Sequence, residues 1–95
     1  LIKIDVQGFE AKVIAGLAKT IERSPNLTLL TEFWPKGLSD AGAEPKAFLK
    51  TLRDLGLTLH ELDKHGDLRE LTNDADLIAR HPGRRYTNLV GRKTK

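Results

Sequence analysis

The sequence has 95 residues, of which 39% are hydrophobic and 31% charged, enough for one small folded domain and too apolar for a disordered chain. The absence of cysteine excludes a disulfide framework and a cysteine-ligated metal, and His60, His65 and His81 are too scattered for a zinc cluster, so no metal site is expected. A net charge of +3 is too modest to name a partner. No apolar run approaches the length of a bilayer span and no signal peptide is evident, which makes the cytoplasm the default location.

Leu1, Ile2 and Ile4 form a short apolar run that Asp5 ends. Gly8 follows, and helical spacing begins at once with Val13, Ile14, Leu17 and Ile21, supported by Ala11, Ala15 and Ala18. Ser24-Pro25 stops that helix, because the residue before proline is pushed out of the α region, so it is placed at about Phe9 to Arg23. Leu27 to Phe33 is rich in strand formers and apolar on both faces, and Trp34-Pro35 ends it. Strand, helix and strand in this order predict a right-handed βαβ unit with parallel strands.

Lys36 to Glu44 holds Gly37, Ser39, Asp40 and Gly42 and reads as a loop. Pro45 suits a first helical position, Phe48, Leu49, Leu52 and Leu55 make a core-facing stripe, and Gly56 suits a C-terminal cap. Leu57 to Leu62 alternates like a strand with one wet face, Lys64-His65-Gly66-Asp67 is a turn, and Leu68 to Leu71 reads as a short return strand. Thr72 to Asp76 offers a capping residue and early acids for a helical turn through about Ile78. After the loop His81 to Arg85, Tyr86 to Gly91 is a last strand, expected antiparallel at or near the sheet edge.

A strand that ends in a carboxylate, turns through glycine and enters a helix is a site-building unit, because ligands of open α/β sheets bind beyond the carboxyl ends of the strands. Asp5, Gln7, Gly8 and Glu10 belong to that edge. Glu32 stands beside Phe33 and Trp34 at a second strand end, where an acid is costly unless it is paired or faces a cleft. Each has a plainer reading. Asp5 and Glu10 suit the positive end of the following helix, Gly8 suits a turn, and Trp34 beside proline suits a structural wall.

The stretch Ile2-Lys3-Ile4-Asp5-Val6-Gln7-Gly8-Phe9-Glu10 resembles the signature of FkbM-type S-adenosylmethionine-dependent methyltransferases, in which an apolar strand runs into Ile-Asp-Val-Glu-Gly-x-Glu and then a helix. Glu32-Phe33-Trp34-Pro35, Leu55-Gly56 and Asn88-Leu89 continue the likeness. The resemblance implies the C-terminal half of a Rossmann-like class I methyltransferase fold, a mostly parallel sheet with an antiparallel edge strand. Leu1–Asp5, Leu27–Phe33, Leu57–Leu62 and Tyr86–Gly91 would be strands four to seven, the last two pairing as an antiparallel hairpin.

It implies a single partial domain over residues 1–95, with the glycine-rich loop and the ribose-binding acid upstream, since no G-x-G-x-x-G occurs here. The implied cofactor is S-adenosylmethionine, and the implied acceptor is a small molecule or sugar methylated on oxygen or nitrogen. Asp5, Glu10 and Glu32 are the catalytic candidates, Asp5 a cofactor contact, and Gln7, Gly8 and Trp34 substrate contacts. Gln7 departs from the family's glutamate, and an amide can orient a partner but cannot take its proton.

Two other readings stand beside this one. Asp5-Val6-Gln7-Gly8 matches D-x-x-G of nucleotide hydrolases, though no G-x-x-x-x-G-K-[ST] loop is present. Arg80, Arg84, Arg85, Arg92, Lys93 and Lys95, with no acid after Asp76, make a basic tail that suits an interaction domain for nucleic acid or an acidic partner. Few aromatics lie there for base stacking, so solvated surface is the plainer reading. If a strand is missing upstream, the open edge of Leu1–Asp5 predicts pairing with a second copy.

Overall fold

The computed structural model describes residues 1–5 and 7–93. Strand β1 (Ile2–Ile4) leads through a turn into helix α1 (Glu10–Arg23), which returns the chain to β2 (Thr28–Phe33). A short helix α2 (Pro35–Asp40) and a longer α3 (Pro45–Asp54) precede the hairpin β3 (Thr58–Leu62) and β4 (Leu68–Glu70). Helix α4 (Asp74–Ala79) then leads to β5 (Thr87–Arg92).

The five strands form one mixed sheet in the order β1-β2-β5-β3-β4. β1 and β2 are parallel, joined by the expected crossover helix. β3 runs in the same direction as both, because β5 lies between β2 and β3 and is antiparallel to each. Two expectations are therefore corrected. The sheet is mostly antiparallel, with one parallel pairing among four, and β5 is a central strand rather than an edge strand. Its composition accounts for the position: Leu89 and Val90 are buried, and Gly91 lets Leu57 and Leu59 pack against its backbone. Among the described residues, β1 and β4 are the edges.

The pairing register places Leu29, Thr31 and Phe33 on one face with Leu89 and Leu59. That face carries the core, where Ile4, Leu29, Phe33, Leu59 and Leu89 pack with the helical residues Ile14, Ile21, Leu38, Leu49, Leu52 and Leu77. The Phe33 and Phe48 rings stack with centroids 6.3 Å apart and tie β2 to α3. Burying each such side chain contributes about 1.5–3 kcal/mol. On the other face Lys3 and Asn88 are exposed and Leu30, Glu32, His60 and Leu62 half-buried.

Local chemistry sets the helix ends. Glu44 accepts a hydrogen bond from the Ala47 amide at 2.7 Å and caps α3, with Pro45 at its first position. Asn73 caps α4 by accepting from the Asp76 amide at 3.0 Å. The segment expected to be a loop from Lys36 to Glu44 contains α2 instead. Pro35 pre-sets its first turn, Lys36 and Asp40 pair at 2.9 Å one turn apart, and Gly42 at φ +90° ends it while Ala43 donates to the Leu38 carbonyl at 2.8 Å. Its glycines terminate and pack the helix rather than preventing it. No helix among the described residues is long and apolar enough to cross a membrane.

Candidate active site

The parallel register pairs Ile4 with Thr31, so one further step sets Asp5 beside Glu32. Their carboxyl groups are close enough for each to act on the other. Glu32 is pushed above its ordinary value of 4.5, first by burial, then by the charge of Asp5, a hydrogen bond with Asp5 and the charge of Glu10. The antiparallel register pairs Phe33 with Thr87, so Tyr86 arrives beside Trp34. Asp5, Gln7, Glu32, Trp34, Arg84 and Tyr86 line one open cleft of about 400 Å³ at the carboxyl ends of β1 and β2.

Three glycines fix the wall of this cleft. Gly8 has φ +101°, where a side chain is strained, and a Cβ there would lie 2.6 Å from the Gly37 carbonyl oxygen. A Cβ on Gly37 would in turn collide with the six-membered ring of Trp34. The Trp34 indole Nε1 donates to the Gly83 carbonyl oxygen at 2.8 Å. The ring is thus held on one side by α2 and at its polar edge by the loop before β5. Gln7 has φ 45°, so two successive left-handed residues turn the chain from β1 into α1.

Glu10, placed among the catalytic candidates, is fully buried in the first turn of α1. Its carboxylate accepts a hydrogen bond from the Gly8 amide at 2.8 Å, occupying the positive end of a helix whose cap residue Phe9 makes no side-chain cap. Neither Glu10 nor Gly8 lines the cleft. They stand behind it and shape the turn, and Glu10 acts on Glu32 through its charge. Asp5, Gln7, Glu32 and Trp34 do meet in the cleft. Arg84, read in the sequence only as part of the basic tail, and Tyr86, which had no signal as a site residue, belong there too. Only β5 taking its place beside β2 carries them in, and strand order is not written in periodicity.

The D-x-x-G reading would use the Gly8 amide for a phosphate, but that amide already donates to the buried Glu10 carboxylate. Val6 of that motif lies outside the described residues.

The basic tail is not one surface. Arg80 pairs with Glu61 at 2.9 Å and with Asp76 at 2.9 Å. Lys93 donates its Nζ to the Ile21 and Glu22 carbonyls at 2.6 and 2.9 Å, closing the C-terminus of α1. Arg84 lines the cleft, Arg85 and Arg92 are exposed, and Lys95 lies outside the described residues. Among the described residues, no group of three or more His, Cys, Asp and Glu side chains is placed to hold a metal ion.

No family model matches this chain, and neither a curated protein nor a solved structure matches it.

Proposed function

We propose that this chain forms the acceptor side of an S-adenosylmethionine-dependent methyltransferase site, acting on an oxygen or nitrogen of a small-molecule or sugar acceptor. The observation that carries the reading is the meeting of Asp5 and Glu32 at the ends of two parallel strands, in an open cleft walled by Trp34. The parallel pairing of β1 with β2 and the antiparallel pairing of β3 with β5 are the parts of the strand pattern implied by the resemblance to FkbM-type enzymes that support the reading.

The donor set fits one end of the cofactor. A carboxyl pair beside Trp34 and Tyr86 suits a cationic ammonium or sulfonium, through charge and ring faces. No glycine-rich loop for the rest of the cofactor is among the 95 residues. When bound, S-adenosylmethionine supplies a methyl group already activated on a sulfonium. The residues of this chain then have two tasks. Trp34 and Gln7 orient the acceptor so that its lone pair lies in line with the methyl group. The Asp5–Glu32 pair accepts the acceptor's proton, a role for which a carboxyl raised above its ordinary value is better matched than an ordinary one.

Titration of S-adenosylhomocysteine into the isotope-labelled chain, followed by amide and indole NMR, tests the reading. Shifts converging on residues 5–10 and the Trp34 indole support it. Shifts confined to α4 and β4, away from the cleft, overturn it.

A further inference from the structure

A second hollow opens on the same sheet edge as the candidate cleft. The antiparallel register pairs Leu62 with Asn88, which brings the end of β3 and the turn after it against the start of β5. Leu62, Asp63, Lys64, Tyr86, Thr87 and Asn88 line a hollow of about 250 Å³ there. Tyr86 lines both this hollow and the candidate cleft and is 57% exposed, so its ring stands between them. Two strand spacings of about 4.8 Å separate β2 from β3, which sets Glu32 roughly 10 Å from the second hollow.

The polar groups of the second hollow divide into those already engaged and those that are not. Asp63 Oδ1 accepts from the His65 and Asp67 amides at 2.8 and 3.0 Å, and its Oδ2 lies 3.7 Å from Arg69 Nε. Thr87 Oγ1 donates to Glu61 at 2.8 Å. The Lys64 ammonium, the Tyr86 hydroxyl and the Asn88 side-chain amide have no partner among the described residues. All three can donate, and one is a cation. With Asp63 engaged in the turn and offset by Arg69, the free groups favour an oxyanion. The candidate cleft differs, because it sets Asp5 and Glu32 against Arg84 alone and suits a cation or a proton donor.

We infer that the acceptor is an elongated molecule bearing an anionic group, a carboxylate or a phosphate, roughly 10 Å from the atom that receives the methyl group. The oxyanion sits on Lys64 and Asn88, the middle of the molecule crosses the ring of Tyr86, and the nucleophilic atom reaches the Asp5–Glu32 pair. The inference rests on reading the candidate cleft as the methyl-acceptor site. It adds a second recognition point, since an acceptor without the anion leaves Lys64 and Asn88 unused.

Phenyl phosphate carries a ring and an oxyanion and is the probe for the second hollow. It is titrated into the isotope-labelled full chain, with inorganic phosphate and benzyltrimethylammonium chloride in parallel at matched ionic strength, and followed by amide and side-chain NMR. Phenyl phosphate should shift the signals of residues 62–64 and 86–88 saturably, inorganic phosphate should shift them with weaker affinity, and the cation should leave them in place. Lys64→Gln should weaken phenyl phosphate about tenfold, the loss of one charge-assisted hydrogen bond. Tyr86→Ala should reduce phenyl phosphate to the affinity of inorganic phosphate. Lys46→Gln, the same loss of charge on the exposed surface of α3, should leave it unchanged.

Lys64 and Tyr86 are exposed, so both variants keep the fold. No saturable shift from phenyl phosphate, shifts centred on Arg84 and the Trp34 indole instead, or full affinity retained in Lys64→Gln overturns the inference. Phenyl phosphate bound at Lys64, together with S-adenosylhomocysteine shifts confined to α4 and β4, would refute the methyltransferase reading alone. S-adenosylhomocysteine shifts at residues 5–10 with no phenyl phosphate response at residues 62–64 and 86–88 would refute this inference alone.

Discussion

Glu32 and Glu61 are the same residue type, each on a strand and each half-buried, and the fold treats them in opposite ways. Burial raises both. For Glu61 the rise is overcome by hydrogen bonds from Arg80 and Thr87 and by the charges of Arg80 and His81, and it ends below its ordinary value of 4.5. Arg80 Nη2 and Thr87 Oγ1 donate to its carboxylate at 2.9 and 2.8 Å. Glu32 has Asp5 and Glu10 for neighbours and ends above that value. On the core face, one carboxylate ties β3, α4 and β5 together; across β5, on the opposite face, like groups are held near each other beside an open cleft. The first arrangement serves stability directly, and the second is of the kind that recurs at functional sites.

The comparison breaks most readily at the glycines behind the cleft. Gly8→Ala forces a side chain into a left-handed conformation and against the Gly37 carbonyl, and should cost about 3 kcal/mol in urea unfolding. Gly37→Ala, which cannot keep the Trp34 ring in place, should also shift the Trp34 emission spectrum. A Gly8→Ala variant of unchanged stability would show that the turn is not built as described.

Across β5, Arg80→Leu leaves Glu61 half-buried without its arginine partner and should cost about 1–2 kcal/mol. Asp5→Asn should lower stability at pH 7 less than Arg80→Leu does, because it relieves Glu32 of a like charge while leaving an amide able to hydrogen-bond. Equal losses in the two variants would erase the distinction between the two glutamates. Lys93→Met removes two bonds to the last carbonyls of α1 and should cost about 0.5–1 kcal/mol.

The pH dependences of the two glutamates are opposite in sign. Glu32 is raised in the folded state, so its contribution is fully present below pH 4.5 and is lost as pH rises through its elevated value. Glu61 is lowered, so its contribution is present above pH 4.5 and is lost as pH falls through its depressed value. Glu32→Gln should therefore flatten the stability curve on the alkaline side of pH 4.5, and Glu61→Gln on the acid side. The smallest expected effect concerns the edge of β1, paired only with β2 among the described residues. Sedimentation should show weak, concentration-dependent self-association through it.

Much of the layout was legible because it rests on local chemistry. Ile14 and Ile21 announce α1 and are fully buried, Pro45 and Gly56 bracket α3, and Asn73 caps α4 as its residue type suggests. Asp5 and Glu32 were legible one by one as acids at strand ends. Their contact was not, because it depends on β1 and β2 pairing in one register. Arg84 and Tyr86 were hidden more deeply. Nothing between Arg80 and Tyr86 says that the following strand enters the sheet beside β2, and long-range strand order is set by packing of Leu89, Val90 and Gly91 against β2 and β3. Lys93 likewise reads as solvated tail until β5 brings it to the end of α1.

The most direct measurement is a carbon-detected NMR titration of the side-chain carboxyls, following Glu32 and Glu61 in one sample of the full chain. Glu32 should titrate above 4.5 and Glu61 below it, and Asp5→Asn should lower Glu32 while leaving Glu61 unmoved. Two glutamates titrating together at or below 4.5, or a Glu32 indifferent to Asp5, would contradict the claim that the ends of β1 and β2 hold a carboxyl pair prepared for chemistry.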